Sequence, residues 1–229
     1  VTGVQTCALP ILSLDESIHP MVQEKITYLL EMMLGLKRDL SSFYTMAKHD
    51  VQLNPLVFQF MGVKPPRFPS LFEALINAIS CQQISLDAGL HIQNQLVQHL
   101  GMKMNHNSQV LYAFPTAEDV SHCSVGSLKK LGYSTHKSET IICLASALKD
   151  EQSAFSCLEG KPNDEVIELL CQFKGIGRWT AEYVLLRGLG RIEIFPGDDI
   201  GAQNNLQKLL HLEDKLDYKK TSKITSLWH

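Results

Sequence analysis

Phe173-Lys174-Gly175-Ile176-Gly177-Arg178-Trp179-Thr180-Ala181, followed shortly by Phe195-Pro196-Gly197-Asp198-Asp199, is the stretch around which the chain is organised. Upstream of the glycines, Val166, Ile167, Leu169, Leu170 and Phe173 fall on one stripe of a helix over residues 164–173. Downstream, Tyr183, Val184, Leu185 and Leu186 make an apolar helical run over residues 181–189. Two helices joined by a turn with glycine at alternate positions predict a tight helical hairpin. Gly175 and Gly177 free the backbone to turn sharply and to come close to another chain. The second helix points its unpaired N–H groups into that turn, a nest of donors that binds phosphate without side-chain charge. An ordinary helical hairpin uses the same glycines, so the spacing alone does not separate the two readings.

Composition sets the outer bounds. The 229 residues, 45% hydrophobic and 20% charged, suit one globular domain or one domain plus part of another. A net charge of −3 supplies no global basic field. Contact with a polyanion must then be local, at Lys174, Arg178 and Lys137 together with backbone amides. The six cysteines form no CxxC pair, which argues against a zinc knuckle or a dithiol motif and suits a reducing cytoplasm. Cys143 and Cys171 sit in apolar helical stretches and are expected to be buried. His122, His136 and His211 lack ligand spacing and read as solvated or core residues. No run is long enough to span a membrane as a helix.

Along the chain, residues 1–11 share no periodicity with the residues after them. They are similar to a translated sequencing-library adaptor and are expected to be an artefact. Residues 12–66 form an N-terminal helical segment. It holds a helix over residues 21–36, with Val22, Ile26, Leu29, Leu30 and Met33 on one face, and a shorter helix near Leu40 capped by Ser41 or Ser42. Pro65-Pro66-Arg67-Phe68-Pro69 is a rigid connection. Ser70 then caps a strong apolar helix, and another follows Ser85 and stops at Gly101. Residues 105–108 are expected to be loop. Short helices are predicted after Pro115, over residues 125–131 and 137–148, and after the hairpin from Asp199 to Leu210 and from Tyr218 onward. Strand-like alternation is nearly absent beyond Pro69. The prediction is an all-α fold: two helical lobes of short helices with a cleft between them, and a remnant N-terminal segment. Residues 67–229 make the main domain, and its C-terminus reads as truncated.

A second string, Phe72-Glu73-Ala74-Leu75-Ile76-Asn77-Ala78-Ile79-Ser80-Cys81-Gln82-Gln83-Ile84-Ser85, carries a further signal. Gln82 and Gln83 close an otherwise apolar helix, where two amides are costly if buried without partners. Taken alone they are explained by a solvated helix end. The hairpin string with its Pro-Gly-Asp-Asp loop, however, resembles the helix-hairpin-helix of the DNA glycosylase superfamily. Pro66 to Leu75, the two glutamines, and Leu131-Gly132-Tyr133 with Lys137 extend the match over roughly residues 38–229, and it is similar to the bacterial 3-methyladenine DNA glycosylase II type. The resemblance implies a monomeric, cytoplasmic, nucleoid-associated base excision repair enzyme acting on double-stranded DNA with damaged bases. It implies DNA contacts from Gln82, Gln83, Lys174, Gly175, Ile176, Gly177, Arg178 and Thr180. Gln83 takes the place of the wedge that fills the gap left by a flipped base; the family often has leucine there, and Ile84 is the other candidate.

The chemistry follows from the bond. An N-glycosidic bond inside a duplex is reached only after the nucleotide rotates out of the stack. Cleavage develops positive charge on the sugar, which a fixed carboxylate stabilises while it orients or deprotonates water. The resemblance assigns this role to Asp199 and leaves its neighbour Asp198 a structural one, such as capping the next helix. It places Trp179 and Tyr183, at i and i+4, in the base pocket, where their faces attract a purine made cationic by alkylation. Core packing is the other account of these aromatics. Strand-cleaving relatives carry a nucleophilic lysine where this chain has Trp179, so water is expected as the nucleophile and an intact strand with an abasic site as the product. No cysteine quartet follows the aspartate, so no iron–sulfur cluster is expected; a monovalent cation at the hairpin is the one ion left open. The rival readings are a non-catalytic DNA-binding module, an inactive truncated fragment, or a strand-cleaving glycosylase.

Overall fold

The computed structural model describes residues 19–149 and 157–228. Residues 1–11, including Cys7, lie outside the described residues. The centre of the fold is the helix Leu71–Cys81, here α4. Ser70 caps it by accepting from the Glu73 N–H at 3.0 Å. Leu71, Phe72, Leu75, Ile76 and Ile79 are all buried, so almost no face of the helix meets solvent. Each such side chain contributes about 1.5–3 kcal/mol by burial. Packed around α4 are α5 (Leu86–Leu100), α8 (Thr135–Ala147) and α10 (Arg178–Arg187). The short α6 (Ala117–Ser121) and α7 (Val125–Lys130), and α9 (Asn163–Cys171), which pairs with α10, complete this lobe around one continuous apolar core.

The remaining helices are α1 (Pro20–Leu34), α2 (Ser41–Ala47), α3 (Leu53–Gln59), α11 (Ile200–Leu209) and α12 (Tyr218–Thr225). The residues after α12 pack on the α2–α3 segment, where the Trp228 indole N–H donates to Asp50 Oδ2 at 3.1 Å. The all-α architecture agrees with the expectation. Among the described residues no helix is long and apolar enough to cross a membrane.

Several local expectations need correction. Residues 105–108 are not simply loop: Lys103–His106 (β1) and Gln109–Tyr112 (β2) form an antiparallel hairpin. Asn107 and Ser108 both have positive φ, 45° and 64°, as a type I′ turn requires. Every residue of both strands is exposed, so no buried face imposes a two-residue alternation on the sequence. Helix α3 carries Pro55 in its first turn, where a proline is tolerated, and the N–H groups of Gln52 and Leu53 donate to Asp50. Neither Ser41 nor Ser42 caps α2; the Ser41 N–H donates to Asp39. Cys143 and Cys171 are exposed, because the apolar faces of their helices point elsewhere. Helix α1 buries none of its residues completely.

Candidate functional site

The predicted hairpin is the junction of α9 and α10, and its two glycines serve different ends. Gly175 has φ +92°, and a Cβ there would lie 2.2 Å from Thr140 Oγ1. It makes the turn, pressed against α8. Gly177 has an extended backbone, and a Cβ there would meet nothing within 4 Å. The space over Gly177 is open to an incoming chain. Gly177 is also the N-cap of α10 and offers no side chain to the first turn. Among the described residues, no acceptor takes the N–H groups of Gly177, Arg178, Trp179 or Thr180. Four backbone donors at the start of α10 are therefore left unpaired.

This cleft, of about 940 Å³, lies between the end of α4 and the starts of α5, α8, α10 and α11. Ser85, Ser134, Gly177 and Asp199, the N-caps of those four helices, all line it. Ser85, Ser134 and Asp199 accept from their own helices, while Gly177 leaves its helix open. Each helix N-terminus carries a partial positive charge of about half an elementary charge. Four helix N-termini thus converge on the cleft, where the Asp198 and Asp199 carboxylates also stand.

The three cations expected at the interface each have a partner within the chain. Lys137 lines the cleft, but its Nζ donates to Ser80 O at 3.0 Å and Gln82 O at 2.8 Å, closing the C-terminus of α4. Burial pushes its pKa down. Lys174 is exposed and pairs with Glu139 at 3.7 Å. The Nε of Arg178 donates to Glu182 at 2.9 Å, a bond that raises the arginine's pKa.

Other expected contacts sort in the same way. Ile176 is a core residue whose N–H donates to Phe173 O, so it anchors the hairpin instead of offering a donor. Gln82 bridges elements: its Nε2 donates to Gly175 O at 3.1 Å and to Thr180 Oγ1 at 2.9 Å, tying α4 to the hairpin. Thr180 is buried, and its hydroxyl takes that bond. Gln83 is different. It is exposed in the cleft, with φ +56°, a left-handed conformation that costs a non-glycine residue about 1–2 kcal/mol. Ile84 stands beside it, 41% exposed.

Asp199 lies half-buried at the cleft wall. Its Oδ1 accepts from the Ala202 N–H at 2.8 Å and its Oδ2 from the Trp179 indole N–H at 3.0 Å. The capping role expected for Asp198 thus falls on Asp199 itself, and Asp198 is exposed. Trp179 lines the cleft, and Tyr183 lies behind it, ring centroids 5.6 Å apart. The Tyr183 hydroxyl donates to Asn77 Oδ1 at 2.8 Å, and Asn77 in turn donates to Gln93 at 2.9 Å. Tyr183 also packs on Phe68, and burial raises its pKa. Sequence reasoning missed the buried Glu182 behind this wall. Its only sequence signal is a carboxylate four residues after Arg178, which looks like a surface pair. Among the described residues, no group of His, Cys, Asp and Glu is placed to hold a metal ion.

Residues 76–229 match the family described as the HhH-GPD superfamily base excision DNA repair protein. The chain is 29% identical over 206 residues to the DNA-3-methyladenine glycosylase of Bacillus subtilis, covering 90% of this chain and 68% of that one. It is 31% identical over 163 residues to DNA-3-methyladenine glycosylase 1 of Schizosaccharomyces pombe, covering 67% and 65%. Among solved structures, the 3-methyladenine DNA glycosylase of Archaeoglobus fulgidus superposes with a TM-score of 0.81 at 30% identity, over 92% of this chain and 71% of that one.

Proposed function

The chain belongs to the HhH-GPD superfamily of base excision DNA repair proteins, and from that premise we propose that it is a DNA glycosylase that hydrolyses the N-glycosidic bond of alkylated purines. The observation that carries the proposal is the Trp179–Asp199 pair, an aromatic wall hydrogen-bonded to a carboxylate in a cleft whose mouth is the open start of α10.

The mechanism is built from these parts. The unpaired N–H groups of Gly177 to Thr180 bind a backbone phosphate of duplex DNA beside the lesion. The space above Gly177 lets the strand come close. Gln83, exposed in the cleft, fills the gap when the nucleotide rotates out. The extruded base stacks on Trp179, with Tyr183 supporting the indole from behind. Alkylation at N3 or N7 gives the purine a positive charge that the ring face attracts by roughly 0.5–2 kcal/mol. The same charge weakens the glycosidic bond, so the leaving base needs no general acid. Asp199, each oxygen fixed by one donor, stabilises the developing sugar cation with its remaining lone pairs and orients the attacking water. Trp179 is no nucleophile, so the reaction stops at an abasic site with the strand intact. The reading draws on no resident cofactor.

The test is incubation with duplex DNA treated with a methylating agent, followed by chromatography of released bases and a denaturing gel. Free 3-methyladenine or 7-methylguanine with unbroken strands is the expected result. Duplex binding without release would turn the reading into a non-catalytic module. Enzyme trapped on DNA by borohydride would reveal a lysine nucleophile and overturn the hydrolytic mechanism.

A further inference from the structure

Glu182 takes no part in the hydrolytic mechanism, yet three donors from three elements converge on it. The residue is 3% exposed. Its carboxylate accepts from Arg178 Nε at 2.9 Å, from the Gly197 N–H at 3.2 Å and from the Tyr218 hydroxyl at 2.8 Å. The first donor is one turn back on α10, the second is in the Pro196–Asp199 loop, and the third opens α12. The loop is pinned from its other side too, because Gly197 O accepts from Gln203 Nε2 at 2.6 Å. A Cβ on Gly197 would lie 2.7 Å from the Tyr218 ring, so the ring rests directly on the glycine. The Arg178 guanidinium stacks on the same ring at 4.8 Å.

Two residues after Gly197 comes Asp199. Helix α10 thus holds the loop at two points, Glu182 at Gly197 and Trp179 at Asp199. An exposed i,i+4 ion pair is worth little, but this carboxylate is buried and takes a backbone N–H from the loop itself. Removing such an acceptor leaves the buried Gly197 N–H unpaired, and the loop relaxes to satisfy it elsewhere.

We propose that Glu182 is the positioning residue for Asp199: it latches Gly197 and Tyr218 to α10 and so fixes the carboxylate at the cleft wall. Tyr218 makes α12 part of that latch. The role rests on the glycosylase reading, because it acts through Asp199.

The test is a double-mutant cycle. Glu182→Gln keeps the volume but replaces one acceptor oxygen by a donor, so it cannot serve all three partners. On methylated duplex, Glu182→Gln is expected to slow single-turnover base release by about 10- to 100-fold, with affinity for abasic-analogue DNA kept within about twofold. In an Asp199→Asn background the same change is expected to cost less than about twofold, since the group it positions is gone. Equal losses in both backgrounds would mean a general structural role and overturn the proposal. A second readout needs no activity: the indole N–H proton resonance of Trp179 is expected to shift in Glu182→Gln while that of Trp228 stays. An unmoved Trp179 resonance also overturns the latch. Absence of base release by the unaltered protein would sink the glycosylase reading, and the indole resonance would still judge the latch. Should Glu182→Gln not fold, Tyr218→Phe keeps the ring on Gly197 and removes one donor. It is expected to slow release about three- to tenfold only where Asp199 is present, and no such dependence would overturn the proposal.

Discussion

The Trp179 indole N–H donates to Asp199 Oδ2 at 3.0 Å, which makes the aromatic wall and the carboxylate a single unit. Asp199 is at once the N-cap of α11, through Ala202, and the partner of α10, through Trp179. Its position is therefore set by two helices that meet at the cleft.

Trp179→Phe keeps a ring against Tyr183 and deletes the donor. A hydrogen bond to a charged group contributes about 1.5–3 kcal/mol, so single-turnover base release should fall roughly 10- to 100-fold. Affinity for DNA carrying an abasic analogue should change little, since the hairpin amides are untouched. Asp199→Asn should be slower still. Equal rates for Trp179→Phe and the unaltered protein would show that Ala202 alone suffices to hold the carboxylate.

The two hairpin glycines should fail in different ways. Gly175→Ala places a Cβ 2.2 Å from Thr140 Oγ1 at φ +92°, a steric and a conformational cost together. A loss of about 2–3 kcal/mol, and a fall in Tm of about 4–10 °C, is expected in thermal melts. Gly177→Ala meets nothing within 4 Å inside the protein, so Tm should hold while duplex affinity drops at least about tenfold in fluorescence titrations. The opposite pattern would remove Gly177 from the DNA interface.

Much of this site is local in sequence and is legible there. The glycine spacing sets the hairpin, the run from Leu71 to Ile79 sets the buried helix, and Asp199 opens a helix next to a Pro-Gly turn. The parts that are not legible depend on long-range return of the chain. Glu182 looks like the surface partner of Arg178 until Gly197 and Tyr218 fold back over it. Gln82 looks like a solvated helix end, yet its amide closes on Gly175 O, far along the chain. Lys174, Arg178 and Lys137 look like free charges in the sequence, but each has a partner within the fold: Glu139, Glu182 and the carbonyls that end α4. Cysteines in apolar helical stretches reveal nothing about which face packs, so Cys143 and Cys171 end up exposed.

Gln83 should show a trade between stability and activity. Its φ of +56° is one that glycine adopts freely, so Gln83→Gly relieves about 1–2 kcal/mol of strain against roughly 0.5–1 kcal/mol of added unfolded-state freedom. Tm should therefore stay level or rise slightly. Without a side chain to fill the vacated stack, base release should slow by about tenfold or more. Retained activity in Gln83→Gly together with loss in Ile84→Ala would move the wedge to Ile84.

Tyr133 offers a pH test of the core. It is 3% exposed, its hydroxyl 2.9 Å from Ser80 Oγ, and burial pushes its pKa up from 10.0 to about 12, against the opposing pull of that hydrogen bond. Below pH 10 the phenol is neutral in folded and unfolded chains alike, so its share of stability is fully present. Between about pH 10 and 12 the unfolded chain releases the proton while the folded one holds it, and stability falls as pH rises. Two pKa units correspond to a loss of roughly 2–3 kcal/mol from this group by pH 12. Tyr133→Phe abolishes the titration and leaves Ser80 its bond to Ile76 O at 2.7 Å. Urea melts from pH 9 to pH 11.5 should therefore show the unaltered protein losing stability faster than Tyr133→Phe. Parallel curves would mean that the Tyr133 hydroxyl reaches solvent.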